Sequence, residues 1–231
     1  MHPTALKNCQ EFKVAYHDTL IEINPDYKIV EIGSQDVNGS LRGIFPPGLE
    51  YIGVDFVPGN GVDVILGDPY KLPFDDNSVD VVLCSSCFEH SEMFWLLHLE
   101  IIRILKPHGL FYLNVPSNGD VHKWPVDCWR FYPDSAKALV TWANYNNYNI
   151  ELLESYTSAQ NKGIWNDFVA VYCKDANQSC RYLSRILDNK QDYWNGVTNL
   201  RSDISKPTTM SEDQKKVEVM RKIAIGEIPV S

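Results

Sequence analysis

Long apolar runs, positive charge and glycine-rich phosphate turns are all scarce in this chain. Crossing a bilayer takes roughly 18 or more consecutive apolar residues, and no stretch approaches that length. The opening MHPTALKNCQEFKVAYHDTL lacks the basic-then-apolar order of a secretory signal. A cytoplasmic protein without membrane insertion is therefore expected. Lys and Arg number 21 against 30 Asp and Glu, a formal charge of −9, with no basic run. A phosphate-rich polymer would be repelled, so nucleic acid is not an expected partner. The six cysteines are spread out, at Cys9, Cys84, Cys87, Cys128, Cys173 and Cys180. Disulfides are not needed by a chain able to build its own core. Cys84 and Cys87 have redox spacing but no second pair, and read as small buried hydrophobes. No His and carboxylate set stands at ligand spacing, so no metal is expected.

What is present is ordinary globular composition, 231 residues with 44% hydrophobic and 22% charged side chains, enough for one core with an appendage. Apolar positions at Leu6, Phe12, Tyr16, Leu20 and Ile23 predict an amphipathic helix within an N-terminal helical cap, residues 1–26. Five runs then read as strands: YKIVEIG (27–33), EYIGVD (50–55), VDVIL (62–66), VDVVLCS (79–85) and GLFYLNV (109–115). Runs apolar on both faces, alternating with helical patterns, indicate a parallel sheet covered on both sides. A helix over 92–105 ends near Pro107, which cannot continue it. Another is expected at 134–146, before two last strands, NIELLESYT and DFVAVYCK, as an antiparallel pair at the sheet edge. The expected fold is α/β: a Rossmann-like, doubly wound, mostly parallel seven-stranded sheet with an antiparallel edge strand and helices on both faces. Residues 27–175 form the main domain. Residues 176–231 read as a helical tail, with helices near 178–192 and 211–223, open to use as a lid, a homodimer contact or neither.

The first strand ends in VEIGSQDVNGS, so a tight turn at Gly33 lies at the carboxyl edge of the sheet, where such folds bind ligands. The second ends in GVDF, which places Asp55 about 20 residues on, where a carboxylate can accept both hydroxyls of a ribose. Each residue alone also reads as a turn glycine or a capping aspartate. A dinucleotide would need G-x-G-x-x-G to hold its pyrophosphate. Here Gly33 is followed by Ser34, Gln35 and Asp36. An acidic loop disfavours pyrophosphate and suits a sulfonium donor, whose cationic groups Glu31 would stabilise.

Taken in order, VEIGSQDVNGSLR, YIGVDF, LGDPYKLPF, DVVLCSSCFEHSEMFWLLHLEIIRILKPHG and LFYLNVPS resemble the class I S-adenosylmethionine-dependent methyltransferases of the type 11 kind, over roughly residues 27–118. The resemblance implies S-adenosyl-L-methionine as cofactor, with Glu31 and Gly33 at its methionine part, Asp55 at the ribose and Asp68 at the adenine. Ser34, Phe56, Pro69 and Ser85 would line the same pocket. The family's turn usually has more glycines, and Gly39 stands where the last would be.

The segment HKWPVDCWRFYP (122–133) is similar to one in a methyltransferase subgroup associated with sugar and surface-glycan modification. His122, Trp124, Asp127, Trp129 and Arg130, within an acceptor segment at 119–133, are the expected substrate contacts: aromatics to stack on a sugar ring, charges to bind hydroxyls. The alternative is that Trp129 and Phe131 are core, with Asp127 and Arg130 a structural ion pair. His90, in CFEHS, is the expected general base, since imidazole titrates near neutrality; it also reads, with Glu89, as the start of the next helix. Asp75 and Asp76 read as solvated turn residues. The expected activity is methyl transfer to a small-molecule acceptor, foremost a sugar, nucleotide-sugar or glycan-precursor hydroxyl. Rivals are an amine or phosphoryl-bearing metabolite as acceptor, a non-catalytic cofactor-binding scaffold, and, least favoured, a nicotinamide oxidoreductase.

Overall fold

The computed structural model describes residues 2–160 and 164–229. Five parallel strands come first: Ile29–Ile32 (β1), Tyr51–Asp55 (β2), Val64–Ile65 (β3), Val79–Ser85 (β4) and Leu105–Pro116 (β5). Every residue of β1 and β4 is buried, as expected of central strands covered on both faces. Glu151–Ser158 (β6) and Asp167–Cys173 (β7) follow as an antiparallel pair, and Tyr193–Thr198 (β8) pairs antiparallel with β6. The sheet order is β3-β2-β1-β4-β5-β7-β6-β8. This is the expected mostly parallel Rossmann-like sheet, with eight strands where seven were read.

The eighth strand corrects the reading of residues 176–231 as a helical tail. No helix spans 178–192; two 3-10 turns, Ala176–Arg181 and Ile186–Asp188, lead into β8. Tyr193, Trp194, Val197 and Thr198 are good strand formers, but Asn195, at φ 51°, and Gly196 interrupt the run and hide its pattern in the sequence. The last helix, Glu212–Ala224, matches expectation and starts with a capping box in which Ser211 Oγ accepts from the Gln214 N–H and Gln214 Oε1 accepts from the Ser211 N–H.

Three helices cover the sheet: Pro3–Ile23 (α1), Phe94–Ile104 (α2) and Ser135–Tyr145 (α3), with Glu212–Ala224 as α4. Cys9, Phe12, Tyr16 and Leu20, one face of α1, pack in a cluster with Ile29, Val81, Leu83, Leu110 and Tyr112. Leu97 and Ile101 of α2 and Leu139 of α3 pack with Val30, Val82, Phe111 and Tyr172, side chains on the opposite face of the same strands. Between β1 and β2 the chain makes only the 3-10 turn Arg42–Ile44. Thus α1 is more than a cap: it supplies much of one helical layer. No helix among the described residues is long and apolar enough to cross a membrane.

A buried carboxylate fixes α1 to the far edge. Glu154 of β6 accepts from the Tyr16 hydroxyl at 2.6 Å and from the backbone N–H groups of Ile186 and Leu187 at 2.8 and 3.0 Å. Tyr16→Phe keeps the ring packing and removes one donor from that carboxylate. The expected result is a loss of about 1.5–3 kcal/mol, the usual range for a hydrogen bond to a charged group, read as a lower urea midpoint. An unchanged midpoint would show that the carboxylate is adequately held by the two amides.

Candidate functional site

A cavity of about 660 Å³ opens where β1, β2, β4 and β5 end, and Gly33, Asp55, Ser85 and Pro116 all line it. That is the carboxyl edge of the sheet, flanking the point where chain order reverses between β1 and β4. The turn after β1 depends on glycine. Gly33 has φ +75°, and a Cβ there would lie 2.9 Å from Cys87 Cβ. The turns after β1 and β4 are thus in direct contact beneath the cavity.

At the β1–β2 end, Glu31 and Asp55 are 3% and 7% exposed, yet both line the cavity. Burial pushes the Glu31 carboxyl up to about 7, despite the Tyr51 hydroxyl that it accepts at 2.7 Å. Asp55 accepts backbone N–H groups from Gln35, at 3.1 Å, and from Phe56 and Val57, at 2.7 and 3.2 Å. It therefore shapes its own turn, as the capping reading held, while remaining on the cavity wall. Ser85 lines the cavity with a buried Oγ that has no partner among the described residues. Phe56 and Pro69 also line it. Ser34 is buried outside the lining, and Asp68 is exposed there, its carboxylate accepting from the Tyr70 N–H at 2.9 Å.

At the other end stand His90, His122 and Trp124, all on the lining. His90 Nδ1 lies 2.6 Å from the Val126 carbonyl, so Nδ1 carries the proton and Nε2 the lone pair. Burial lowers the pKa of this imidazole, keeping it neutral at neutral pH. The rings of His90 and His122 meet edge to face, 4.9 Å apart.

Asp127, Trp129 and Arg130 are a correction, because none lines the cavity. Arg130 grips Asp127 through both carboxylate oxygens, at 2.6 and 2.8 Å. It also donates to the carbonyls of Trp129 and Asp120. Asp127 further accepts the His122 N–H at 2.7 Å. The pair's hydrogen-bonding capacity is taken up in folding the 120–130 loop. Trp129 donates its indole N–H to the Ser91 carbonyl and packs edge-on against Phe94, while Phe131 is core.

The fold also brings in residues that the sequence reading missed. Trp165 lines the cavity packed against the loop, its ring 4.8 Å from that of His122, and Gly119, at φ +106°, leaves room for it: a Cβ there would overlap the indole. His2 reaches the same wall and lies 3.1 Å from the Asp167 carboxylate. Glu89, read earlier only as a helix start, lines the cavity at 1% exposure, and its Oε2 has no partner among the described residues. Burial pushes its carboxyl up to about 8. Glu89, His90 and His122 hold their ligating atoms within 4.8 Å of one another. The expectation of no His and carboxylate set fails because His122 lies 32 residues from His90 and only the loop fold joins them. Of these, Trp165 left one usable signal, an aromatic immediately before a strand.

Residues 41–113 match the family model described as "Methyltransferase domain". The chain is 39% identical over 71 residues to the phthiotriol/phenolphthiotriol dimycocerosates methyltransferase of Mycobacterium tuberculosis, a match covering 29% of this chain and 25% of that one. It is 30% identical over 131 residues to the protein of that name from Mycobacterium leprae, covering 48% and 47%. The matches thus span from a quarter to about half of these relatives' lengths. Among solved structures, the Burkholderia thailandensis 1,6-didemethyltoxoflavin-N1-methyltransferase, with 1,6-didemethyltoxoflavin and S-adenosylhomocysteine bound, superposes with a TM-score of 0.53 at 15% identity, over 74% of this chain and 78% of that one. The chain therefore has the Rossmann-like methyltransferase fold, and residues 41–113 within it carry the sequence of a methyltransferase domain.

Proposed function

We propose that the protein transfers a methyl group from S-adenosyl-L-methionine to a hydroxyl of a small acceptor, foremost a sugar, nucleotide-sugar or glycan precursor. The observation that carries this is one cavity with two chemically different ends: buried Glu31 and Asp55 at the carboxyl ends of β1 and β2, and histidines with Trp124 and Trp165 opposite. A cationic donor suits the first end. Glu31 faces its amino and sulfonium groups, Asp55 its ribose, and Phe56, Pro69 and Ser85 complete the wall. Ser34 follows Gly33 in the first turn, and Asp68 caps the turn after β3 through the Tyr70 N–H.

In the reaction the acceptor oxygen attacks the sulfonium methyl in line. The carbon–sulfur bond breaks with its electron pair left on sulfur, giving S-adenosylhomocysteine, and the acceptor's proton leaves to the histidine end, with His90 Nε2 as the base. Holding donor and acceptor aligned supplies most of the acceleration, of order 7–11 kcal/mol. A sugar ring would stack on Trp124 and Trp165, both on the lining. A second reading, an apolar non-sugar alcohol, draws on Leu97, Val37 and Val126 in the same lining and on the names of the mycobacterial relatives.

Calorimetry tests the donor. S-adenosylmethionine and S-adenosylhomocysteine should bind, and a nicotinamide dinucleotide should not. Asp55→Ala should weaken binding roughly 5- to 100-fold, the worth of about 1–3 kcal/mol of hydrogen bonding. Release of S-adenosylhomocysteine across sugar and non-sugar alcohols and amines tests the acceptor; turnover confined to non-sugar compounds rejects the sugar.

The donor's affinity should also depend on pH. With the Glu31 carboxyl at about 7, it is mostly protonated below neutrality. A cationic donor favours the ionised form, so binding expels a proton. Affinity should rise about tenfold per pH unit below pH 7 and level off above it, while Glu31→Gln flattens the profile. Affinity that falls with rising pH would remove Glu31 from the donor site.

A further inference from the structure

We infer that Glu89, His90 and His122 form a binding site for one divalent ion of the zinc, cobalt, iron or manganese kind at the acceptor end of the cavity. The ligating atoms of the three lie within 4.8 Å of one another, and His90 Nε2 is already 3.7 Å from Glu89 Oε1. Around an ion with bonds of about 2.1 Å, ligand atoms sit roughly 3–3.5 Å apart, so an edge of up to 4.8 Å must close by as much as about 1.3–1.8 Å. Side-chain rotation of the half-exposed His122 suffices for that.

Glu89 is the second, independent observation. Its carboxyl is 1% exposed, lines the cavity and leaves Oε2 without a partner among the described residues. The nearby guanidinium of Arg130 is bound to both oxygens of Asp127. A buried carboxylate without a full counter-charge is costly, and a bound cation removes that cost.

Both histidines also have the outer contacts that metal-bound imidazoles have, a ring N–H given to an oxygen. His90 Nδ1 faces the Val126 carbonyl at 2.6 Å. His122 Nδ1 lies 3.2 Å from the Asp120 carbonyl and 3.4 Å from an Asp127 oxygen, with Arg130 Nη2 at 3.5 Å. His90 thereby keeps its Nε2 lone pair, and His122 does so in the tautomer that gives its Nδ1–H to these oxygens. Two imidazoles and a carboxylate suit borderline ions rather than calcium or magnesium, and three protein ligands leave positions open to the cavity.

The use of the ion rests on the methyl-transfer reading. The acceptor hydroxyl takes an open position, its O–H proton passes to water as the ion-bound alkoxide forms, and the alkoxide oxygen receives the methyl. His90 then holds the ion in place of taking the proton.

The test titrates Co2+ into the full chain after treatment with a chelator. One Co2+ per chain is expected, with visible ligand-field bands of a nitrogen-bound site that Zn2+ displaces. Glu89→Gln and His122→Ala should each weaken binding 10- to 100-fold while the circular dichroism spectrum and S-adenosylhomocysteine binding stay unchanged. Absence of bands, or equal binding by both variants, overturns the site. If cobalt binds as expected and chelation leaves turnover intact, the role in activating the acceptor is overturned. If cobalt binds and no acceptor is methylated, the proposed function fails and the ion site does not.

Discussion

The contact between the turns after β1 and β4 holds the site together. Gly33 has no side chain because Cys87 occupies the space that one would take. On the β1 side the turn presents Glu31, and its next residues are tied to Asp55 by the Gln35 amide. On the β4 side the chain runs from Cys87 into Glu89 and His90, and the Glu89 carbonyl accepts the N–H groups of Cys128 and Trp129. The 122–133 loop therefore hangs from the backbone of the residue whose side chain enters the cavity. Any larger residue at position 33 would push apart the two ends that a donor and an acceptor must share.

Charge in this protein is placed with little redundancy. Arg130 and Asp127 neutralise one another within the loop, and Lys106 does the same for Asp80, which also lies 3.0 Å from His108 Nε2. Among the described residues, Glu31 and Glu89 have no cationic side chain in hydrogen-bonding contact, and both carboxyls stand well above their usual range through burial. Structural ion pairs hold their acids ionised; these two acids are held near neutrality, where a ligand can set their charge.

Much of the fold was legible in the sequence. The five parallel strands were marked by continuous apolar runs, and α2 and α3 by periodicity and the proline beyond α2. Gly33, Asp55 and the residues after β4 were placed by their position at strand ends, which the parallel topology turns into one edge. Of the 119–133 segment, read as acceptor-binding, residues 122–126 line the cavity while Asp127, Trp129 and Arg130 do not. From composition alone, Asp127 and Arg130 are equally good as ligand contacts and as a pair, and only their geometry shows that they bind each other. Trp165 and the approach of Glu89 to His122 depend on contacts across 46 and 33 residues of chain or more. Local pattern carries no trace of such pairs. The strand β8 was hidden by Asn195 and Gly196, which break its alternation.

The placement of α1 has a consequence for how the chain acquires its shape. Its apolar face is synthesised well before most of the strands on which it rests, and its Tyr16 and Glu11 are joined to Glu154 and Lys190, 138 and 179 residues away. Until those segments exist the helix has nothing to cover. Such distant partners raise contact order and slow the final docking step, so during synthesis an apolar stripe waits in solvent. The element that closes one face of the sheet is thus also the one most exposed to misassociation before the chain is complete.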